Sequence, residues 1–271
     1  MHDQCLDLKF DFEILVSEDG GKKFLKANRN IDNLENCKYI INSENSGRAG
    51  NVNRLLSQSQ FQLKLILDCD VKIQSNVFLK KYISFSEKYK HFACSGGISY
   101  DLSIKDKNSL RYNYGLKREA KNSKQRNQDP YKHLLTSNIL LKNSNQTFEE
   151  RITNYGFEDM VFSENLKSKG VSVFHINNPV IHENTEQNEI FIAKIEVGLK
   201  TLIYLERNNI IDTGKNKISK IYHIFSKLHL CKILTFLSKI YQKPIYDYVK
   251  KNGKPLWLFD IYRLLYFSKH Y

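Results

Sequence analysis

Short apolar runs alternate with a helical pattern along the first part of the chain. FEILV (12–16), CKYIIN (37–42) and FQLKLILDCD (61–70) predict strands, and SGRAGNVNRLLSQSQ (46–60) predicts a helix. Strand, helix and strand in repeated order are typical of an α/β fold with a mostly parallel central sheet. Ligands of such sheets bind beyond the carboxyl ends of the strands. The sequence therefore predicts a binding crevice at that edge.

Two acidic turns follow predicted strands and fall at this edge. They are Glu18-Asp19 and Asp68-Cys69-Asp70. Oxygen ligands suit hard divalent cations such as Mg²⁺ or Mn²⁺. Because residues one apart on an extended chain point to opposite sides, Asp68 and Asp70 are expected to differ in role. One would reach a metal bound to a diphosphate, and the other would bond a ribose. The alternative is that turn-forming aspartates simply end the strand.

The basic character of the chain is concentrated near its C-terminus. Residues 206–271 hold eleven Lys and two Arg against four acids, so they carry +9 of the net charge of +13. Treated as one helix, the segment around IYHIFSKLHLCKILTFLSKIY (221–241) has a broad lysine side formed by Lys217, Lys220, Lys227, Lys232, Lys239 and Lys243. This helix either packs on the main domain or rests on an anionic membrane surface. We thus expect a domain over 1–205 and a basic, aromatic-rich helical tail over 206–271.

Composition narrows the classes of protein. The five cysteines are scattered without CxxC spacing, which argues against a disulfide framework or a zinc knuckle and favours a reducing cytoplasm. The first ten residues carry charges where a signal peptide would be apolar, and no apolar stretch is long enough to cross a bilayer. The tail mixes lysines with large apolar residues, so no nucleic-acid partner is expected. We expect a cytoplasmic protein, soluble or on the inner membrane face.

A longer series of motifs runs through the chain in a fixed order. The motifs are EILVSEDGG (13–21), ENSGRAGNVNRLL (44–56), LILDCDV (65–71), CSGGISY (94–100), LLTSNILLKNSNQTFEE (134–150), NYGFEDMVFSENLKSKG (154–170) and VFHINNPVIHE (173–183). In this order they resemble family-2 glycosyltransferases of the GT-A fold with a galactosyltransferase-type C-terminal half. The resemblance spans residues 4–205. It implies inverting transfer of a hexosyl or N-acetylhexosaminyl group from a nucleotide sugar, with UDP the expected carrier, to a glycan or lipid-linked acceptor.

The resemblance also assigns a nucleotide-sugar pocket. It implies that Asp19 receives the base and that a D-x-D motif begins at Asp68. The other residues of this pocket are Asn45, Arg48, Asn53, Gly96, Gly97 and Asn138. Each has a simpler alternative: a polar helix face for Arg48 and Asn53, a turn for the glycines, and buried turn stabilisation for Asn138.

The same resemblance assigns the metal and the chemistry. Asp70 and His182 are implied to hold Mn²⁺ or Mg²⁺. Asp159 matches the base that takes the acceptor proton, and Glu158 its neighbour that holds acceptor hydroxyls. The alternatives are a structural histidine and two acids that favourably meet a helix dipole at the start of EDMVFSENLKSKG (158–170).

The front of the chain departs from the family. Members begin with a strand and a helix, whereas MHDQCLDLKFDFEILV (1–16) begins inside what looks like the end of that helix. We therefore expect an N-terminally short domain that lacks the usual first strand. Two functions remain open: an active glycosyltransferase of surface polysaccharide biosynthesis, and a truncated, non-catalytic GT-A-like protein that binds membrane or partners.

Overall fold

The computed structural model describes two compact units. The described residues are 1–103, 108–143, 146–183 and 186–271. Unit 1 consists of 1–98, 121–153 and 158–181, and unit 2 of 99–120, 154–157 and 182–271. The expected boundary between residues 205 and 206 falls inside a continuous helix, Asn188–Arg207. The division into a 1–205 domain and a 206–271 tail stays a prediction.

Among the described residues, the strands form sheets of four, three and two strands. They are β1 (Ile14–Asp19), β2 (Cys37–Asn42), β3 (Leu63–Leu67), β4 (Val71–Lys72), β5 (Phe92–Ser95), β6 (Ile98–Ser99), β7 (Asn138–Lys142), β8 (Val173–His175) and β9 (Val180–His182). The four-stranded sheet has the order β3-β7-β5-β8, the three-stranded one β4-β9-β6, and β1 pairs with β2. The β1–β2 ladder is parallel, from Ile14 opposite Cys37 to Asp19 opposite Asn42.

The α/β class is confirmed, and one detail of the sheet differs from expectation. β3, β5 and β8 run in one direction, but β7 lies antiparallel to both β3 and β5. Two of the three pairings are therefore antiparallel. The reason that sequence alone missed this is that the first four residues of β7 are all buried. A strand covered on both faces reads as one apolar run whatever its direction.

The helices alternate with these strands and then dominate the C-terminal part. They are α1 (His2–Asp7), α2 (Leu25–Asn28), α3 (Gly47–Gln58), α4 (Phe78–Ser86), α5 (Leu110–Tyr114), α6 (Ser123–Arg126), α7 (Glu158–Ser168), α8 (Asn188–Arg207), α9 (Lys217–Lys227), α10 (Cys231–Asn252) and α11 (Leu256–His270). A 3₁₀ turn covers Arg29–Asn33 and a π turn Gly115–Glu119. The predicted helices at 46–60 and 158–170 are confirmed as α3 and α7.

The core of unit 1 packs α3 and α7 against the four-stranded sheet. Ala49 of α3 and Phe162 of α7 are almost fully buried with Ile139 of β7 and Val173 of β8. The Phe162 ring stacks on Phe148 with 4.3 Å between centroids. Burial of these apolar side chains holds the starts of both helices near the carboxyl ends of the strands.

The N-terminal segment begins with a short helix, as expected. In the described chain, β1 pairs only with β2, and β3 lies at the edge of the larger sheet. An apolar pocket of about 150 Å³ beside β3 is lined by residues that include Phe10, Phe12 and Leu65. The β1–β2 ladder is thus separate from the larger sheet in unit 1.

The basic tail is three helices rather than the single helix assumed above. His229 adopts φ +58°, and the amide of Leu230 bonds the carbonyl of Phe225 at 2.8 Å, which ends α9 before α10 begins. The sequence gives no Gly or Pro at this break, so the helical pattern looked continuous. The six lysines therefore do not share one helix face. α11 is largely buried, with Phe259 and Phe267 at 0% exposure, which supports the packed alternative for this helix.

Glu206 ties the end of α8 to α9 within unit 2. Its carboxylate is fully buried and accepts hydrogen bonds from the Ser219 hydroxyl and from the amide of Gly214 at 3.2 Å. Its Oε2 atom lies 3.3 Å from Nε2 of His223. Within the described ranges, every helix is too short or too polar to cross a membrane.

Candidate active site

The end of β1 is joined to the start of α3. Oδ1 of Asp19 accepts hydrogen bonds from the amide and hydroxyl of Ser46 at 3.0 and 2.8 Å. Oδ1 of Asn45 accepts from the amide of Gly47 at 2.8 Å. The first turn of α3 is thereby fixed at the carboxyl end of β1, where the helix dipole favours anionic groups.

Arg48, in that first turn, lies between the D-x-D motif and α7. Its Nη2 and Nε donate to Oδ1 of Asp68 at 2.8 and 3.2 Å. Its Nη1 lies 4.0 Å from Oδ1 of Asp159. The structure thus brings together three residues that sequence analysis assigned to one crevice. Roughly a third of each side chain remains exposed, at 29%, 31% and 35% for Arg48, Asp68 and Asp159.

The Arg48 guanidinium stays positively charged, and one of its N–H donors, at Nη1, has no partner among the described residues. Desolvation lowers its pKa, but the carboxylates of Asp159, Asp68 and Glu158 more than offset this, so the pKa is raised overall. The guanidinium also lies over the Phe148 ring at 5.3 Å. Nη1 is buried and has no hydrogen-bond partner among the described residues. A buried N–H without a partner is costly unless a ligand accepts it.

Among the described residues, Asp159 is anchored through its Oδ1 atom. The hydroxyl and amide of Thr136 both donate to Oδ1, the amide at 3.3 Å. Within the described chain, the contacts of Asp159 with Thr136 and Arg48 all use this oxygen, which leaves Oδ2 to accept a proton. Desolvation raises the pKa of Asp159 and outweighs the lowering by Arg48 and Thr136. A raised pKa makes this carboxylate a better proton acceptor than an ordinary aspartate.

The rest of the D-x-D turn concentrates negative charge. Asp70 is exposed just beyond the end of β3. Desolvation and the carboxylates of Asp68, Asp70 and Glu18 together raise the pKa of the Cys69 thiol. In the described parts of the chain, no three His, Cys, Asp or Glu side chains come together as a metal-ligand group. Carboxylate oxygens are ligands that Mg²⁺ and Mn²⁺ prefer, so Asp68 and Asp70 suit such a cation in chemical type but supply fewer ligands than it takes.

His182, the other implied metal ligand, belongs to unit 2. Its ring stacks on the Tyr100 ring with 5.8 Å between centroids, and Nη2 of Arg111 lies 3.3 Å from Nε2 of His182. Because a guanidinium only donates, Nε2 accepts this hydrogen bond. Arg111 is in turn paired with Glu119 at 2.9 Å. Metal binding through Nε2 would require Arg111 to move, and the metal role of His182 stays a prediction.

Gly96, Gly97 and Asn138 lie inside unit 1 rather than on an open cradle. A Cβ on Gly96 would stand 2.3 Å from the carbonyl oxygen of Asn178, and Gly97 has φ +85°. Asn138 is fully buried: Nδ2 donates to the carbonyls of Gly97 and Asn178 at 2.9 Å, and Oδ1 accepts from Tyr82 at 2.7 Å. The amide is saturated, which favours the structural alternative for all three residues.

Asn53 is likewise bonded within the protein. Nδ2 donates to the Phe148 carbonyl at 2.9 Å and to Glu150 at 2.7 Å, while Oδ1 accepts from the Phe148 amide at 2.7 Å. The residue is buried rather than on a polar helix face. It therefore fastens the loop that carries Phe148 beneath Arg48, and a direct nucleotide contact by Asn53 gains no support from this geometry.

Thr136 and Ser46, which orient Asp159 and Asp19, could not be identified as site residues from the sequence. Both residues stood inside quoted motifs, TSN and ENSGR. A hydroxyl residue just before a strand or a helix start is a common turn residue, so its type alone gave no sign of a carboxylate partner. Spatial proximity between separate motifs is what identifies these two residues.

Solved structures align with this chain at low sequence identity. Mannosyltransferase PcManGT from Pyrobaculum calidifontis, in complex with GDP-Man and Mn²⁺, matches with a TM-score of 0.56 and 12% identity over 98% of this chain and 80% of that one. TarS 1-349 of S. aureus in complex with UDP matches with a TM-score of 0.49 and 13% identity over 99% and 84%. A longer S. aureus TarS chain matches with a TM-score of 0.47 and 16% identity, over 76% of this chain and only 36% of that one. No curated protein matches the sequence.

The sequence itself matches a known family over half of its length. The family described as Glycosyl transferase family 2 matches residues 2–141, which include Asp19, Arg48, Asp68 and Asp70. The fold of PcManGT agrees with this match. The GT-A resemblance noted from the motifs is therefore confirmed, and the chain belongs to glycosyl transferase family 2.

Proposed function

We propose that this chain is a metal-dependent inverting glycosyltransferase that moves a sugar from a nucleotide donor to an acceptor hydroxyl. The observation that carries the proposal is Arg48 between Asp68 and Asp159, with contacts to Oδ1 of each carboxylate. Among the described residues these contacts all use Oδ1, so Oδ2 of each carboxylate is available to substrate. It also leaves Nη1 of Arg48 as a buried donor that a phosphate oxygen can satisfy.

Asp159 acts as the general base in this proposal. The acceptor oxygen attacks the anomeric carbon, Oδ2 of Asp159 takes the hydroxyl proton, and the bond from that carbon to the diphosphate oxygen breaks. The raised pKa of Asp159 supports this role. Thr136 holds Oδ1 and so aims Oδ2. Glu158, beside the base in the first turn of α7, is proposed to hold further acceptor hydroxyls.

The nucleoside diphosphate leaves with negative charge, which the site must balance. Asp70 is proposed to bind Mn²⁺ or Mg²⁺ together with the donor phosphates, with Asp68 beside it. When bound, the cation neutralises charge on the departing diphosphate. Arg48 supplies a second positive charge at the same place, and Asp19 at the end of β1 is proposed to receive the base of the nucleotide.

The proposed substrates follow from the motif resemblance and from the charge of residues 206–271. UDP as the carrier and a hexosyl or N-acetylhexosaminyl group follow from the motif resemblance alone. The basic residues of 206–271 support attachment to an anionic membrane at the cytoplasmic leaflet, and hence a lipid-linked or glycan acceptor in polysaccharide biosynthesis.

A donor screen tests the proposed reaction. The full chain is incubated with a panel of UDP-, GDP- and dTDP-sugars and Mn²⁺ or Mg²⁺, with and without lipid extract, and release of nucleoside diphosphate is followed. We expect release from one donor class that depends on the cation. Failure of every donor to react, together with no nucleotide binding by calorimetry, would reject the proposal.

A further inference from the structure

One face of α10 exposes large apolar side chains. Ile233, Phe236 and Ile240 are 50%, 61% and 47% exposed. Their spacing of three and four residues places them on one side of the helix. The opposite side faces the interior of unit 2, where Leu234 and Val249 are buried. The packing of unit 2 therefore fixes which face of α10 points to solvent.

Lysines border this apolar stripe along one flank. Lys232, Lys239 and Lys243 are exposed and follow one another at spacings of seven and four residues, which keeps them in register on the helix. Lys243 lies 3.3 Å from Asp247, the one acid in α10. Lys232 and Lys239 make no ion pair within the part of the chain that the structure describes. The stripe thus combines apolar bulk with uncompensated positive charge.

We propose that this α10 face is the surface that docks on an anionic membrane, with the apolar stripe in the interface and the lysines at the headgroups. The inference rests on the membrane association proposed above. It narrows the docking surface from the whole segment 206–271 to six side chains of α10. Charge complementarity selects this occupant, because lysines near an anionic surface are attracted while exposed apolar side chains gain burial. A second copy of the chain would bring like charges together. Nucleic acid fits this surface less well, because bases stack on aromatic rings and not on aliphatic side chains.

Vesicle cosedimentation of the full chain tests the assignment. Phosphatidylcholine vesicles are compared with mixed phosphatidylcholine and phosphatidylglycerol vesicles at low and high salt. The test variants are Lys232→Gln/Lys239→Gln/Lys243→Gln and Phe236→Ser/Ile240→Ser. The matched control is Lys80→Gln/Lys88→Gln/Lys90→Gln, which removes the same charge from exposed positions of unit 1. All are exposed positions, so thermal melting should be unchanged.

We expect the wild type to bind the mixed vesicles and the lysine variant to bind more than about tenfold more weakly at low salt. The Phe236→Ser/Ile240→Ser variant should weaken binding at both salt concentrations, because apolar insertion is not screened. The control should bind nearly as the wild type does. Absence of wild-type binding, equal loss in the control, or a concentration-dependent dimer that only the α10 variants abolish would overturn the assignment.

Nucleoside diphosphate release in solution separates this inference from the proposed reaction. The α10 variants should release nucleoside diphosphate at the wild-type rate without vesicles. If the wild type binds vesicles but never releases nucleoside diphosphate, docking stands and glycosyl transfer fails. If it releases nucleoside diphosphate but ignores vesicles, the docking assignment fails alone.

Discussion

The hydroxyl of Thr136 donates to Oδ1 of Asp159, so a residue just before β7 orients a carboxylate in the first turn of α7. A hydrogen bond to the charged form of an acid lowers its pKa, and desolvation of Asp159 acts in the opposite direction. The net result is a raised pKa. The carboxylate must be ionised to act as a base, so we expect activity to fall, as pH decreases, at a higher pH than for an ordinary aspartate.

Replacement of Thr136 by Val tests this relationship. The Val side chain keeps the shape but removes the hydroxyl donor, so the pKa of Asp159 should rise further. The acid limb of the pH dependence of kcat/KM should move to higher pH, and nucleotide affinity should stay unchanged. An unmoved acid limb would mean that Thr136 does not act on the base, or that the limb reports another group.

Arg48→Lys is expected to lower the transfer rate by about 100-fold. Losses of this size follow the removal of one hydrogen-bond donor to the charge that develops in the transition state. Lysine keeps the positive charge but cannot contact Asp68 and Asp159 at once. Arg54→Lys, at an exposed position on the same helix, is the matched control and should be nearly neutral. Comparable rate losses in the two variants would show that Arg48 has no special place in the site.

Much of the fold and of the candidate site could be predicted from the sequence. The features that could not be predicted share a physical cause. Apolar runs and turn residues are local signals, and they placed β2 at Cys37–Asn42 without error. The direction of β7, the break at His229 and the contact between Thr136 and Asp159 depend on tertiary packing between distant segments. The same holds for Asn138, whose role depends on the carbonyl groups that surround its amide.

The metal prediction concerns Asp70. Because Asp70 is proposed to bind the cation together with the donor phosphates, nucleotide binding should require Mn²⁺ or Mg²⁺ and should be lost in Asp70→Ala. Isothermal titration calorimetry with cation and with EDTA measures both effects. Equal nucleotide affinity with cation, with EDTA and in the variant would remove Asp70 from the metal site.

Asn53→Ala separates a structural role from a nucleotide contact. Loss of a buried amide with three hydrogen bonds should lower the free energy of unfolding by about 1–3 kcal/mol. Urea denaturation measures this, with Gln58→Ala at an exposed position of α3 as the control. At a temperature where the variant stays folded, nucleotide affinity should be close to that of the wild type. Weaker nucleotide binding at unchanged stability would restore the nucleotide-binding role.

The most direct test of the account is single-turnover sugar transfer by the wild type and by Asp159→Asn, with the donor identified in the screen. The amide keeps the size of the side chain but cannot take the acceptor proton. We expect a rate about 10²- to 10⁴-fold below the wild type with donor affinity unchanged. Glu164→Gln, the same carboxylate-to-amide change further along α7, should transfer sugar normally. Transfer by Asp159→Asn at close to the wild-type rate would contradict the account, since Asp159 would then be only an acid at a helix start.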